Sequence, residues 1–323
     1  MLLMDEQRGL SEHDLKEALR SEFGIDAISV VSPEAGQDVD AQRYRIDARY
    51  FVKVRPAADA RETSAILARH LCDEGIPYVV APLRSRTDAL TVRAGEHSLN
   101  VYPLVDGLNA MATDLTERQW RALGSFLREL HAVSLPAELA ERVPSETYRR
   151  AELDLLPRID EAASRRAADE LGSFWLVRRD EIFALAAHTE ALGHELEQLA
   201  LPHVLCHCDL HTNNVMVDRH DELWVIDWDE PTQAPKERDL MFVVGGIQTS
   251  FVAPRETACF LEGYGDATTN ALALAYYRHA WAVQDIAGYG KQVFLDSSRG
   301  NAADRLKSLF GPGSIVEIAR GSA

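Results

Sequence analysis

No run of this chain approaches the roughly 20 consecutive apolar residues that a membrane-spanning helix needs. A helical membrane protein is therefore not expected. Cysteine is scarce, with only Cys72, Cys206, Cys208 and Cys259 present. Their scatter offers no disulfide framework, which suits a reducing compartment. Basic charge is also short: 34 Lys and Arg face 51 Asp and Glu, a formal net charge of −17. Non-specific nucleic-acid binding needs a basic face, and this balance argues against it. The start, Met1-Leu2-Leu3-Met4-Asp5-Glu6, turns acidic at once and lacks the basic-then-apolar order of a secretory signal. The expected location is the cytoplasm, with neither membrane nor nucleic acid as partner. Internal repeats and low-complexity linkers are missing too. The acidic surplus is compatible with a cationic small-molecule partner but does not establish one, and solubility alone is the favoured account of it. Oligomeric state is left open.

What is present divides into two textures. The 323 residues can bury a substantial core as one large unit or two lobes. Ser11 to Phe23 reads as a capped amphipathic helix, with Leu15, Ala18, Leu19 and Phe23 on one face. Strands are expected at Ala27 to Val31, from Tyr44, at Tyr50 to Val54, near Leu90 to Val92 and at Ser98 to Tyr102, with a helix from Asp59 to Cys72. After Pro103-Leu104-Val105-Asp106-Gly107 helices dominate. Thr116-x-x-Gln119 is a capping box opening a helix to His131, whose histidine is assigned to capping the last turn. Helical patterns follow at 145–168, 172–199, from Lys236, and at Pro254 to Tyr264, Thr269 to Tyr289 and Ala303 to Leu309. The segment 203–229 breaks the helical texture as strand, loop, strand, turn, strand. The expected fold class is α+β and bilobal, with a β-rich unit at 1–106, a hinge at 102–106 and a mainly helical unit at 107–323.

The chemistry is concentrated in that non-helical segment. His207-Cys208-Asp209-Leu210-His211-Thr212-Asn213-Asn214 is followed, after a polar turn, by Val225-Ile226-Asp227-Trp228-Asp229. An Asp that can orient and deprotonate a hydroxyl, an Asn five residues on, and an Asp ending an apolar strand suffice for phosphoryl transfer. That reaction asks mainly for positioned oxygen ligands. Asp209 is the candidate base, and Asn214 with Asp227 the candidate Mg²⁺ ligands. Lys53, mid-strand among Phe51, Val52 and Val54, is placed to reach nucleotide phosphates, with Glu62 as its expected orienting partner. Tyr102, Pro103 and Val105 are expected at the adenine, through the Pro103 carbonyl and the Val105 N–H. A G-x-G-x-x-G loop is lacking. Gly36 is the only glycine of residues 33–40, and Gln37 a candidate phosphate contact. Asp229 and Glu230 extend the acidic mouth as candidate acceptor ligands. His203, Cys206, His207, Cys208 and His211 crowd together, but their spacing fits no usual zinc pattern.

These residues resemble the aminoglycoside phosphotransferase and choline-kinase-like superfamily. His207-Cys208-Asp209 through Asn214, Ile226-Asp227-Trp228-Asp229, and Leu123-Gly124-Ser125-Phe126-Leu127-Arg128-Glu129-Leu130-His131 carry the likeness. The stretches Asp227 to Phe242, Tyr276-Tyr277-Arg278-His279 and Gln284 to Gly290 are similar to the branch acting on spectinomycin. The resemblance implies a protein-kinase-like fold, Mg²⁺, ATP as co-substrate with GTP not excluded, and transfer to a hydroxyl of an aminocyclitol antibiotic. It gives Asp209 the role of base, Asn214 and Asp227 that of Mg²⁺ ligands, and Lys53 with Glu62 that of the phosphate-orienting pair. A kinase of a small metabolite such as a sugar, an amino alcohol or homoserine shares these motifs. A nucleotide-binding pseudokinase is the alternative of another class, disfavoured by the complete set of carboxylates.

Overall fold

A computed structural model describes residues 10–32, 41–248, 251–265, 268–296 and 300–322. The 33–38 turn, with Gly36 and Gln37, lies outside the described residues. The chain forms two compact units that interleave along the sequence. One gathers 1–115, 134–143 and 212–231, and the other 116–133, 144–211 and 232–323.

The first unit holds α1 (Glu12–Ala18), β1 (Val30–Val31), β2 (Gln42–Ile46), β3 (Tyr50–Pro56), α2 (Glu62–Asp73), β4 (Val92–Ala94), β5 (His97–Pro103), β6 (Gly107–Asn109), α4 (Ala137–Ala140), β8 (Val215–Asp218) and β9 (Leu223–Val225). Ser11 caps α1 by accepting from the Asp14 N–H at 3.1 Å. The helix then widens into a π turn over Leu19–Phe23 and stops at Gly24, whose φ is +69°. Five strands form an antiparallel sheet in the order β1-β2-β3-β5-β4. Ile46, Val52, Val54, Leu99 and Val101 bury against Leu15 and Leu19 of the opening helical segment. Each such fully buried aliphatic side chain contributes about 1.5–3 kcal/mol.

A single boundary near Asp106 does not describe the packing. Strand β8 pairs with β6 and β9 in a second, three-stranded sheet, and Val225 exchanges backbone bonds with Tyr78 and Val80 at 2.7 and 3.1 Å. Backbone pairing thus returns 212–231 to the sheet-rich unit. Gly107 makes the pairing possible, because a Cβ there would lie 2.0 Å from the Val217 carbonyl oxygen.

The second unit holds α3 (Glu117–His131), α5 (Leu156–Arg165), α6 (Glu170–Leu199), β7 (Val204–Cys206), β10 (Thr232–Ala234), α7 (Glu237–Leu240), α8 (Pro254–Tyr264), α9 (Ala271–Phe294), α10 (Ala302–Ser308) and α11 (Ile315–Arg320). The Thr116–Gln119 capping box opens α3. Helix does not begin at 145. Ser145 bridges to Gln233 and Tyr148 takes a positive φ of 56°, so the chain runs irregularly to Arg150. The core joins Leu156, Ile159, Trp175 and Ile182 to Val283, Ile286 and Ala287 of α9, with Leu306 and Ile315 from the terminal helices. Among the described residues, no helix is long and apolar enough to cross a membrane.

Candidate active site

In the first unit the central strand brings two cations to one face. Lys53 and Arg55 sit two residues apart on β3, so their side chains point the same way. The Lys53 ammonium, buried among apolar neighbours, donates to Asp227 at 2.5 Å and to Asp229 at 2.8 Å. Arg55 donates to the same Asp229 oxygen at 2.7 Å. Burial alone would pull the Lys53 pKa down. The Asp227 and Asp229 carboxylates outweigh it and hold the ammonium charged well above its ordinary range. Burial also pushes the Asp227 carboxyl up, and the Lys53 charge reverses that and holds it below the usual carboxylate range.

Local backbone geometry aims these carboxylates. Asp227 follows β9 with φ +66°, a left-handed conformation that turns the chain sharply at the strand's end. The Trp228 indole donates to the Val225 carbonyl at 3.1 Å and locks the turn. Ser64 of α2 donates to the Asp229 carbonyl at 3.0 Å. The Ile226 N–H donates to the Asn214 carbonyl at 3.0 Å, so Asn214 and Asp227 issue from neighbouring backbone. A buried amide and a carboxylate are hard oxygen donors of the kind Mg²⁺ takes, and this pair fits that ion.

The structure does not bring Lys53 and Glu62 together. Glu62 is exposed at the first turn of α2, where it lines a cavity of about 510 Å³ with Ile66, Arg69 and His70. Asp229, expected toward an acceptor, is taken up by Lys53 and Arg55 instead. Glu230 is exposed, 3.9 Å from Arg61. Tyr102 lies on β5 opposite Phe51, its ring centroid 5.8 Å from the Lys53 ammonium. Pro103 ends that strand opposite Tyr50. Leu104 donates to the Arg49 carbonyl at 2.8 Å, and Val105 follows outside the ladder.

In the second unit the loop after β7 carries Asp209. Its backbone hangs on Asp239, a carboxylate with no solvent exposure. Asp239 accepts from the His207 N–H at 2.9 Å and the Cys208 N–H at 2.7 Å, and its Oδ2 lies 3.2 Å from His131 Nε2. Burial raises the Asp239 pKa, but the His131 hydrogen bond and charge, the His207 field and the backbone donor hold it below the carboxylate norm. His131 Nδ1 in turn lies 2.8 Å from the Tyr264 hydroxyl, so this histidine orders the loop rather than capping its own helix. Cys208 takes φ +72° to make the turn, and the Asp209 N–H donates to His207 Nδ1 at 3.3 Å. The Asp209 carboxylate lies 3.3 Å from His211 Nε2. Burial, reinforced by the nearby His207, pulls the His211 pKa down to about 4, so that imidazole is neutral at physiological pH. Its ring sits edge-on to Phe242 and Trp281.

The motif did not disclose Arg55 or Asp239. Arg55 sits at the period-two position from Lys53, which marks it as sharing that lysine's face. Asp239 stands 30 residues beyond Asp209 as an acid next to the apolar Leu240-Met241-Phe242, a weak sign of burial.

The second unit holds a positioned Asp on an ordered loop, and the first an Asn–Asp oxygen pair with a lysine bound to the same Asp; these are the residue types that phosphoryl transfer asks for. The chain is similar to several known proteins. Spectinomycin phosphotransferase APH(9)-Ia, in complex with ADP and spectinomycin, is 30% identical, with 98% of this chain and 99% of that one aligned at a TM-score of 0.82. The choline kinase LicA from Streptococcus pneumoniae shares the fold at 16% identity and a TM-score of 0.60, over 96% of this chain and 99% of that one. Protein StrN of Streptomyces griseus is 27% identical over 249 residues, 72% of this chain and 70% of that protein. Residues 33–281 match APH, the phosphotransferase enzyme family. The chain belongs to the APH phosphotransferase family and has its kinase-like fold.

Proposed function

We propose that this phosphotransferase moves the γ-phosphoryl group of ATP to a hydroxyl of an aminocyclitol antibiotic of the spectinomycin class, and so confers resistance. The observation that carries the reading is the end-to-end likeness to the spectinomycin phosphotransferase that holds ADP and spectinomycin. In the first unit, Tyr102, Pro103 and Val105 take the adenine, and Lys53 reaches the nucleotide phosphates. Asp227 and Asp229 keep that lysine charged and aimed, the part assigned to Glu62 on sequence. Asn214 and Asp227 hold Mg²⁺, which when bound offsets the charge on the transferred group. In the second unit, Asp209 aligns the acceptor hydroxyl and accepts its proton. Its worth is chiefly orientation, since the loose transition state needs little early deprotonation. The neutral His211 beside it adds no full positive charge to that carboxylate.

The test is steady-state ADP release with Mg-ATP, with and without spectinomycin, using Asp209→Ala as control. Spectinomycin-dependent release that the variant abolishes is the expected result. ATP binding without any stimulation by spectinomycin or related aminocyclitols would overturn the acceptor class.

A further inference from the structure

Helix α2 presents different chemistry on its two sides. Glu62, Ile66, Arg69, His70 and Asp73 recur at the three- and four-residue spacing that gathers side chains on one side of a helix, and there they line the cavity of about 510 Å³. Ser64 lies about half a turn around the helix from that side. Its hydroxyl donates to the Asp229 carbonyl at 3.0 Å. The same helix therefore carries a cavity wall and, on its opposite side, a hydrogen bond to the residue that pairs with Lys53 and Arg55. All of these residues belong to the first unit.

The cavity has the size of a small-molecule site, which spans roughly 300–1,000 Å³. Its wall opposite α2 is fixed, because the Asn100 amide donates to the Leu90 carbonyl at 3.0 Å and to the Thr91 hydroxyl at 2.8 Å. Ile66, Leu90 and Leu139 supply an apolar lining. At the C-terminal end of α2 two guanidinium groups converge on one carboxylate: Arg69 reaches Asp73 at 2.6 Å and Arg84 reaches it at 3.1 Å. Arg84 also pairs with Asp88 at 3.2 Å. Asp73, Arg84 and Asp88 are exposed, and ion pairs in that setting contribute little, so a second carboxylate can take the place of Asp73. The Arg69 Nε–H is buried and has no acceptor among the described residues. Planar guanidinium forks match a carboxylate in shape, and a buried donor without an acceptor favours a ligand that brings one.

We propose that this cavity is a regulatory site for an aliphatic monocarboxylate, whose carboxylate replaces Asp73 between Arg69 and Arg84 and whose chain lies along Ile66, Leu90 and Leu139. Bound there, the ligand braces α2 against the fixed Leu90–Thr91 wall. Through Ser64 the braced helix steadies the backbone of Asp229, and with it the Lys53 and Arg55 side chains that Asp229 holds. The site stands on the geometry of the first unit alone, while its effect on nucleotide rests on the phosphotransferase reading above. Linkage makes that effect reciprocal, so nucleotide must tighten the carboxylate by the factor by which the carboxylate tightens nucleotide.

The experiment is isothermal titration of the full chain with octanoate, octan-1-ol and octylamine, followed by titration of Mg-ATP with and without saturating octanoate. Octanoate should bind one site about 10-fold more tightly than the alcohol or the amine. It should raise Mg-ATP affinity by about 5-fold or more, and Mg-ATP should tighten octanoate equally. Arg84→Gln, on the exposed rim, should weaken octanoate by about 10-fold and leave Mg-ATP binding in its absence unchanged. Ile66→Trp fills the cavity from a half-buried position, so it should keep its melting temperature while losing octanoate, which guards against a folding defect in the first variant. Octanoate no tighter than octan-1-ol or octylamine, or bound equally by both variants, overturns the site. Octanoate bound with Mg-ATP affinity unchanged or lowered overturns the regulation. Octanoate bound by a chain that takes up no Mg-ATP overturns the phosphotransferase reading and leaves the carboxylate site in place.

Discussion

The candidate residues of the two units are held by different forces. In the sheet-rich unit, Lys53, Arg55, Asp227 and Asp229 form a charged cluster whose partners are side chains. Each member could exchange its partner for a phosphate or a cation. In the helical unit, Asp209 sits on backbone that Asp239 grips through two N–H groups, and the histidine beside it is neutral. Ion pairs between flexible side chains rearrange when a ligand brings new charge, whereas carboxylate–backbone bonds in a dry interior do not. The charged cluster of the first unit is thus open to being rewritten by a ligand. The loop of the second unit is built to hold one carboxylate still.

Four substitutions separate these behaviours. Asp209→Ala should lower turnover by roughly 10²–10⁴-fold, the usual worth of a positioned acid–base group, with nucleotide affinity unaltered. Rates within 10-fold of the parent chain, measured by ADP release, would remove Asp209 from its role. Asp239→Ala should be the more damaging change to the fold itself. It removes the acceptor that the His207 and Cys208 N–H groups and His131 Nε2 share, so a loss of about 3–5 kcal/mol in denaturant unfolding is expected, together with reduced kcat. If stability falls but kcat in the folded fraction is untouched, Asp239 is not the loop's anchor.

Asp229→Asn tests the rewritable side. It removes the charge shared by Lys53 and Arg55, and isothermal titration should find Mg-ATP binding weakened by about 10-fold, equivalent to about 1.4 kcal/mol. Acceptor affinity should be unaffected, and a selective loss of acceptor binding would return Asp229 to the acceptor side.

The remaining effect is in pH. His211 titrates near 4 in the folded chain and near its ordinary value of about 6.5 when unfolded. Between those values the unfolded chain binds the extra proton, so stability is full above about pH 6.5 and falls as pH drops toward 4. The loss amounts to roughly 1–3 kcal/mol. His211→Gln should flatten that part of the stability–pH curve. An identical slope in variant and parent would mean the imidazole is not desolvated as the structure has it.

Much of the fold is legible in local patterns. The Thr116–Gln119 capping box and the apolar spacing from Trp120 to Leu130 specify α3, and Pro254 at N1 marks the start of α8. Ser11 fixes where α1 begins, although the π turn after Ala18 is not written in any propensity. The short strand β10 and the terminal helix α11 carried too few residues to show a period. The 145–155 segment has helical composition, but Ser145 pairs with Gln233 far along the chain, and tertiary pairing overrode propensity there.

The chain by itself determined which chemistry is available. Asp209, Asn214, Asp227 and Lys53 stand at spacings that suit phosphoryl transfer because a strand, a short loop and a hairpin impose them. Only the tertiary structure decided who holds whom. Glu62 follows Lys53 by nine residues, yet Asp227 and Asp229, some 175 residues away in sequence, take the lysine. The reason is physical: β3 is central to its sheet and points Lys53 and Arg55 to one face, and two cations buried there need carboxylates that cannot escape to water. Glu62, at an exposed helix end, can. Asp239 is likewise decided by folding, since two backbone N–H groups of a tight loop must find an acceptor wherever the chain brings one.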